Sequence, residues 1–120
     1  MSPIPIKLKR VYEHPSNGDG LRILVERLWP RGLSKAAAGI DHWAKDVAPT
    51  PALRTWFGHR PERWEEFRRR YFVELKANSA AVDALRTLCA KQNITFVFAA
   101  KDVERNGAIA LREFLFSKPE

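Results

Sequence analysis

Ile94-Thr-Phe-Val-Phe-Ala-Ala100 is an almost unbroken apolar run of strand length. A strand covered on both faces reads this way, and such strands sit inside parallel sheets flanked by helices. Helical signals lie on both sides of it. Upstream, a helix starts near Asn78 or Ser79 and carries Val82, Leu85 and Leu88 inward. Before it, Pro61 suits the first turn of a helix that continues to about Lys76. Trp64, Phe67, Tyr71 and Leu75 share one face of that helix at helical spacing. Downstream, residues 104–116 form a last helix that buries Ile109, Leu111 and Leu115.

Working back toward the N-terminus, Ala52 to Phe57 reads as a short helix ended by Gly58, after the punctuation of Pro49-Thr-Pro51. Ile40 to Val47 fits a strand or a helix. Ser34 can cap a short helical stretch through Ala38. Leu21 to Leu28 is a second strand, and Ile6 to Val11 alternates as an edge strand with one wet face does. Between these two strands, His14 to Gly20 is dense in turn formers. That loop is short for a crossover helix, which leaves an antiparallel first pair as an alternative. The expected architecture is α/β: a small single domain over residues 1–120, with a largely parallel or mixed sheet flanked by helices.

Composition narrows the partners. A 120-residue chain that is 45% hydrophobic, with four tryptophans, has enough apolar surface for a packed core. The net charge is +7, and arginine supplies most of the 21 cations. Arginine suits bidentate contact with phosphate or carboxylate, so the expected partner is acidic: a small anionic ligand, or nucleic acid bound weakly and without sequence preference. One cysteine excludes an internal disulfide and fits a reducing compartment. No apolar run approaches membrane-spanning length, and Met1 to Pro5 lacks a signal peptide's apolar stretch, so the expected location is the cytoplasm, without membrane contact. Neither an oligomeric state nor a cofactor is specified by any motif.

The candidate site begins with Arg27-Leu-Trp-Pro-Arg-Gly-Leu33, where Pro30 and Gly32 break the second strand. Arg27, Trp29 and Arg31 stand at that break. Lys101 and Asp102 follow the Ile94 strand. If the two strands are parallel neighbours, these groups meet on one rim, where ligands of α/β folds gather. Lys45-Asp46 and His59 are further candidates, with His59, Asp46 and Asp102 as possible acids or bases. Arg68-Arg69-Arg70 is better explained by Glu65 and Glu66 four residues ahead of Arg69 and Arg70, which stabilise a solvated helix. Arg70 is the exception, because it neighbours inward-facing Tyr71, and both are retained as ligand-binding candidates. There is no zinc spacing, no glycine-rich phosphate loop and no nucleophile elbow. Cys89 reads as core packing.

The strings Lys9 to Tyr12, Leu24 to Leu33, Lys45 to Pro49, Leu53 to His59, Phe67 to Tyr71 and Ala99 to Asp102, together with Asn106, resemble the bacterial YeaO-like family, a domain of unknown function. The resemblance covers nearly the whole chain. It implies a small α/β fold in a bacterial cytoplasmic protein, adds Asn106 to the candidate ligand-binding residues, and supplies no reaction. Glu26 stands where the family more often has Asp, and Arg105 where His is common. The cysteines and the Cys-His-Arg string of wider relatives are absent after the last strand, which speaks against a thiol mechanism. The expected function is binding of a small phosphate- or carboxylate-bearing ligand in a basic cleft at the strand ends. Whether it is an enzyme is left open. The alternatives are a nucleic-acid-binding module and a protein-interaction domain.

Overall fold

A computed structural model describes residues 6–116. Met1 to Pro5, read above for a signal peptide, lie outside the described residues. Four parallel strands form one sheet: β1 (Ile6–Arg10), β2 (Leu21–Leu24), β3 (His42–Trp43) and β4 (Ile94–Phe98), in the order β1-β4-β2-β3. Ile94 to Phe98 is therefore interior, with all five residues buried, as its apolar run predicts. β1 is an edge strand.

The first two strands are not an antiparallel pair. β4 lies between them and is parallel to both. No crossover helix is needed because the strands are short. A five-residue strand is about 17 Å long, and the ten residues 11–20 can reach about 33 Å when extended. Gly20 closes this return at φ +64, against the Asn93 carbonyl, where a Cβ would come within 2.3 Å of the oxygen. The Leu21 amide then donates to the same carbonyl at 2.9 Å.

β2 is shorter than its apolar run suggests. The ladder stops at Leu24 and Val25 because Glu26 turns its groups to other partners. Its carboxylate accepts from the Ala99 amide at 3.1 Å, and its carbonyl accepts from the Trp43 indole at 2.6 Å. The ambiguous Ile40–Val47 stretch resolves into β3 and a 3-10 turn at Lys45–Val47.

Helices α1 (Lys35–Ala38), α2 (Pro51–Phe57), α3 (Trp64–Ala77), α4 (Ser79–Cys89) and α5 (Gly107–Phe116) complete the fold. Residues 61–76 are not one α-helix: Pro61–Arg63 is a 3-10 turn leading into α3. On α3, Phe67, Tyr71 and Leu75 are buried and Trp64 is half-buried. α5 starts at Gly107, later than residue 104, because Asn106 caps it by accepting from the Ile109 amide at 3.0 Å. Leu111 and Leu115 are buried there, while Ile109 is half-buried.

One face of the sheet (Ile6, Ile23, Val25, Ile94, Phe96, Phe98) packs on α2 to α5 and holds the main core. The other face carries a smaller cluster of Val11, Leu24, Ala38 and Val97, closed by Trp29, Leu33, Ile40 and Trp43. Cys89 is buried in the main core, and burial pushes its thiol up to about 11, so it is an unreactive packing residue at neutral pH.

Candidate functional site

A cleft of about 660 Å³ opens at the carboxyl ends of β2 and β4, beside the start of α5. Its floor and walls are largely apolar: Val25, Phe57, Phe67, Pro30, Pro49, Ala100 and one face of Trp29. Arg27, Arg31, Arg54, His59 and Lys101 line it as well, with Glu26, Asp102 and Asn106. β2 and β4 are parallel neighbours, so Arg27, Arg31, Lys101 and Asp102 share this one cleft.

Local sequence positions each group. Pro30 is buried, and Gly32 adopts φ +76, so Arg31 sits on a sharp bend with its side chain exposed. The Tyr12 hydroxyl donates to the Arg31 carbonyl at 3.1 Å and ties the bend to the end of β1. The Trp29 indole donates to the Leu33 carbonyl at 2.8 Å and meets Trp43 edge-on, so Trp29 is half-buried structure as well as cleft wall. Arg27 is committed to the carbonyls of Ala48 (3.1 Å) and Pro49 (3.3 Å). Those bonds brace the segment ahead of α2.

α2 presents Arg54 and, past its end, His59. Thr50 caps α2 and is gripped in turn by Glu74 of α3, through its amide at 3.0 Å and its hydroxyl at 2.6 Å. Gly58 and His59 both take left-handed backbone, with φ +54 and +58. His59 is the one non-glycine residue with positive φ among the described residues, and its ring lies against Phe57. On the opposite side, Asp102 closes an Asx turn by accepting from the amides of Glu104 and Arg105. Hydrogen bonding from the Glu104 amide, above all, holds its pKa below the usual value. The Asn106 amide group donates to the Asp102 carbonyl at 2.9 Å, so this residue organises the loop and caps α5.

Lys45, Asp46, Arg70 and Tyr71 lie outside the cleft. Lys45 sits over the Trp43 ring, and Arg70 over Trp56 while paired with Glu66 at 2.8 Å. Tyr71 is fully buried, with its hydroxyl donating to the Val47 carbonyl. Asp46 and Tyr71 border a separate groove of about 280 Å³. In the Arg68–Arg70 run, Glu65 pairs with Arg68 rather than Arg69, and Glu66 takes both Arg69 and Arg70.

Two charged cleft residues were not singled out from the sequence as site groups: Arg54 and Glu26. Burial raises the Glu26 pKa, against the opposing effects of the Ala99 amide and the Arg54 charge. The signal for Glu26 was its position, an acid directly after the apolar-rich Leu21–Val25 run and at the mouth of the sheet.

Comparison with known proteins fixes the relationship. The family model described as "Inactive DUF488-N3 subclade" matches residues 5–120. The chain belongs to this family. An uncharacterized protein of Mycobacterium tuberculosis is 43% identical to this DUF488-N3 member over 110 residues, 92% of each chain. The uncharacterized protein YeaO of Escherichia coli is 37% identical over 112 residues, 93% of this chain and 97% of its own. The YeaO-like resemblance is thereby shown. No solved structure matches this DUF488-N3 chain. Among its described residues, no helix is long and apolar enough to cross a membrane, and no group of three or more His, Cys, Asp or Glu is placed to hold a metal.

Proposed function

We propose that the chain is a bacterial cytoplasmic domain that binds a small anionic ligand, bearing phosphate or carboxylate, in the cleft at the strand ends. One observation carries this reading: where the arginines find their acids. Arg22, Arg60, Arg68, Arg69, Arg70, Arg86 and Arg105 each meet a carboxylate within 4.0 Å. None of them lines the cleft. Arg31, Arg54 and Lys101 do line it, and among the described residues their side chains have no ion pair and no hydrogen bond. Cations without a carboxylate within 4.0 Å, of which only Arg54 feels a nearby acid (Glu26), converging in a largely apolar concavity beside a helix start are suited to an anion. The word "inactive" in the family description agrees with binding without turnover. His59 and Asp102 are the cleft's acid–base groups should turnover occur.

The interaction-domain reading requires an exposed tryptophan patch. Trp56 is instead covered by Arg63 and Arg70, and Trp29 is tied to Leu33. The nucleic-acid reading loses its clearest basic run to Glu65, Glu66 and Glu113.

The test is a thermal melt in inorganic phosphate against chloride at equal ionic strength. Phosphate should stabilise the wild type, approaching about 2.7 kcal/mol at a hundred times the dissociation constant. Arg31→Ala should cost less than about 1 kcal/mol by itself and abolish the phosphate effect. Arg69→Ala, outside the cleft, should keep it. Equal responses in the two variants, or no phosphate effect in the wild type, would refute the anion site. Tight, sequence-dependent nucleic-acid binding that survives physiological salt would put the alternative in its place.

A further inference from the structure

A site for a bare anion has no use for a half-buried carboxylate, yet Glu26 lies in the same cleft as Arg31 and Lys101. Resting on the anion reading above, we propose that Glu26 makes this a site for a two-ended ligand: a nucleotide whose base offers two adjacent N–H donors, as guanine does, with its phosphate at the Arg31 and Lys101 rim.

The cleft is graded in polarity. Arg31, Arg54 and Lys101 are exposed, while Glu26 is half-buried in a cleft that Val25, Phe57, Phe67 and Ala100 also line. An anion placed deep would meet the carboxylate, whereas at the rim it meets cations. Only one Glu26 oxygen is used within the fold: Oε1 accepts from the Ala99 amide, and Oε2 has no hydrogen bond among the described residues. Apart from Arg54, whose exposed guanidinium acts on Glu26 through its charge, the other polar groups nearby are spent. The Trp29 indole is on Leu33, the Trp43 indole on the Glu26 carbonyl, and the Asn106 side chain on Asp102 and Ile109. What the deep part offers a ligand is therefore an acceptor, so the ligand must donate. Its walls include several rings: the prolines at 30 and 49 and the aromatics Trp29, Phe57 and Phe67. They favour a flat head group. At about 660 Å³ the cleft is of small-molecule size rather than phosphate size. Among bases, guanine places two donors side by side. Uracil flanks its single N–H with carbonyls that a carboxylate repels, and adenine sets an acceptor beside its amine.

Calorimetric titrations at fixed ionic strength with guanosine, adenosine and uridine 5′-monophosphates, ribose 5-phosphate and inorganic phosphate test this. Guanosine monophosphate should bind about tenfold or more tightly than ribose 5-phosphate, the scale of a hydrogen bond to a charged group. Uridine monophosphate should show no such gain. Glu26→Gln replaces one acceptor oxygen by a donor. It should shrink the guanosine advantage to about twofold and leave inorganic phosphate bound as well as before, or better. Phosphate binding without base preference in the wild type overturns this inference and leaves the anion site standing. A guanosine advantage that survives Glu26→Gln also overturns it. Binding of none of the five overturns both readings.

Discussion

The two ends of the sheet treat buried charge in opposite ways. At the amino ends of the strands, Asp19 is 5% exposed and Arg22 only 3%. Asp19 accepts from Arg22 at 2.7 Å, from Lys9 at 3.1 Å, and from the Ser16 amide and hydroxyl. Arg22 also donates to the Ala38 carbonyl, and the Thr95 hydroxyl to the Asp19 carbonyl. At the carboxyl ends, Glu26 has one backbone donor, while Arg31, Arg54 and Lys101 have no ion pair among the described residues. One end pairs its charges with each other, leaving only the Arg22 Nε without a partner, and fixes the start of β2. The other leaves them available, as a binding site must, at some cost to stability. The same short strands serve both purposes because residues entering and leaving them meet different neighbours.

The sharpest break of this contrast is Asp19→Asn. Removing one partner of a buried pair leaves the other charge uncompensated, so a loss of about 3–5 kcal/mol in denaturant melts is expected. The pH dependence should follow. Burial opposes the Asp19 charge, but hydrogen bonds from Arg22, Ser16 and Lys9 outweigh it and hold the carboxyl well below its ordinary range. Its contribution is present above the unfolded-state value and is lost as pH falls through the folded-state one. Wild-type stability should therefore drop in acid below about pH 4, and the Asn variant should lack that part of the drop. A loss under about 1 kcal/mol would mean that the amino end is no firmer than the cleft.

Glu26→Gln should act in the other direction. Burial raises the Glu26 pKa in the fold, so ionising it costs stability as pH rises from the unfolded value through the folded one. The Gln carbonyl can still accept from the Ala99 amide. The variant should be more stable than the wild type near neutrality, and the gap should close in mild acid. Arg27, Arg31, Arg54, His59, Lys101 and Asp102 also face this cleft, so the pH profile is read as the difference between variant and wild type. A destabilised variant at neutral pH would show that the Glu26 charge is as well supported as that of Asp19.

The amino-acid pattern made part of this contrast visible. The central strand, the stripe on α3 and the convergence of Arg27, Arg31, Lys101 and Asp102 follow from local signals: apolar period, turn residues and strand ends. What was not legible depends on distant partners. Nothing near Leu24 announces that Glu26 will leave the ladder for Ala99 and Trp43, so the second strand read too long. Tyr71 and Arg70 are neighbours in sequence, but the helix turns one to the Val47 carbonyl and the other to Glu66. Asp19 read as turn chemistry because its cations lie on two strands. Arg54, one exposed cation among several on short helices, carried no signal until α2 docked beside the cleft.

The smallest expected effect concerns His59, which ends the wall of the cleft in left-handed backbone at φ +58. An L-residue there carries roughly 1 kcal/mol of strain that glycine escapes. Comparing His59→Gly with His59→Ala isolates that strain, because both lose the imidazole and its contact with Phe57. Glycine is favoured by its relaxed backbone in the fold and disfavoured by its greater freedom when unfolded. The native angle lies in the region where the first effect outweighs the second. His59→Gly should therefore be more stable than His59→Ala by about 0.5–1 kcal/mol in denaturant melts. Strain at the open end, beside internally paired charges at the closed end, would extend the contrast from electrostatics to the backbone. If alanine proves equal to or better than glycine, the turn after α2 is relaxed, and the difference between the two ends is one of charge alone.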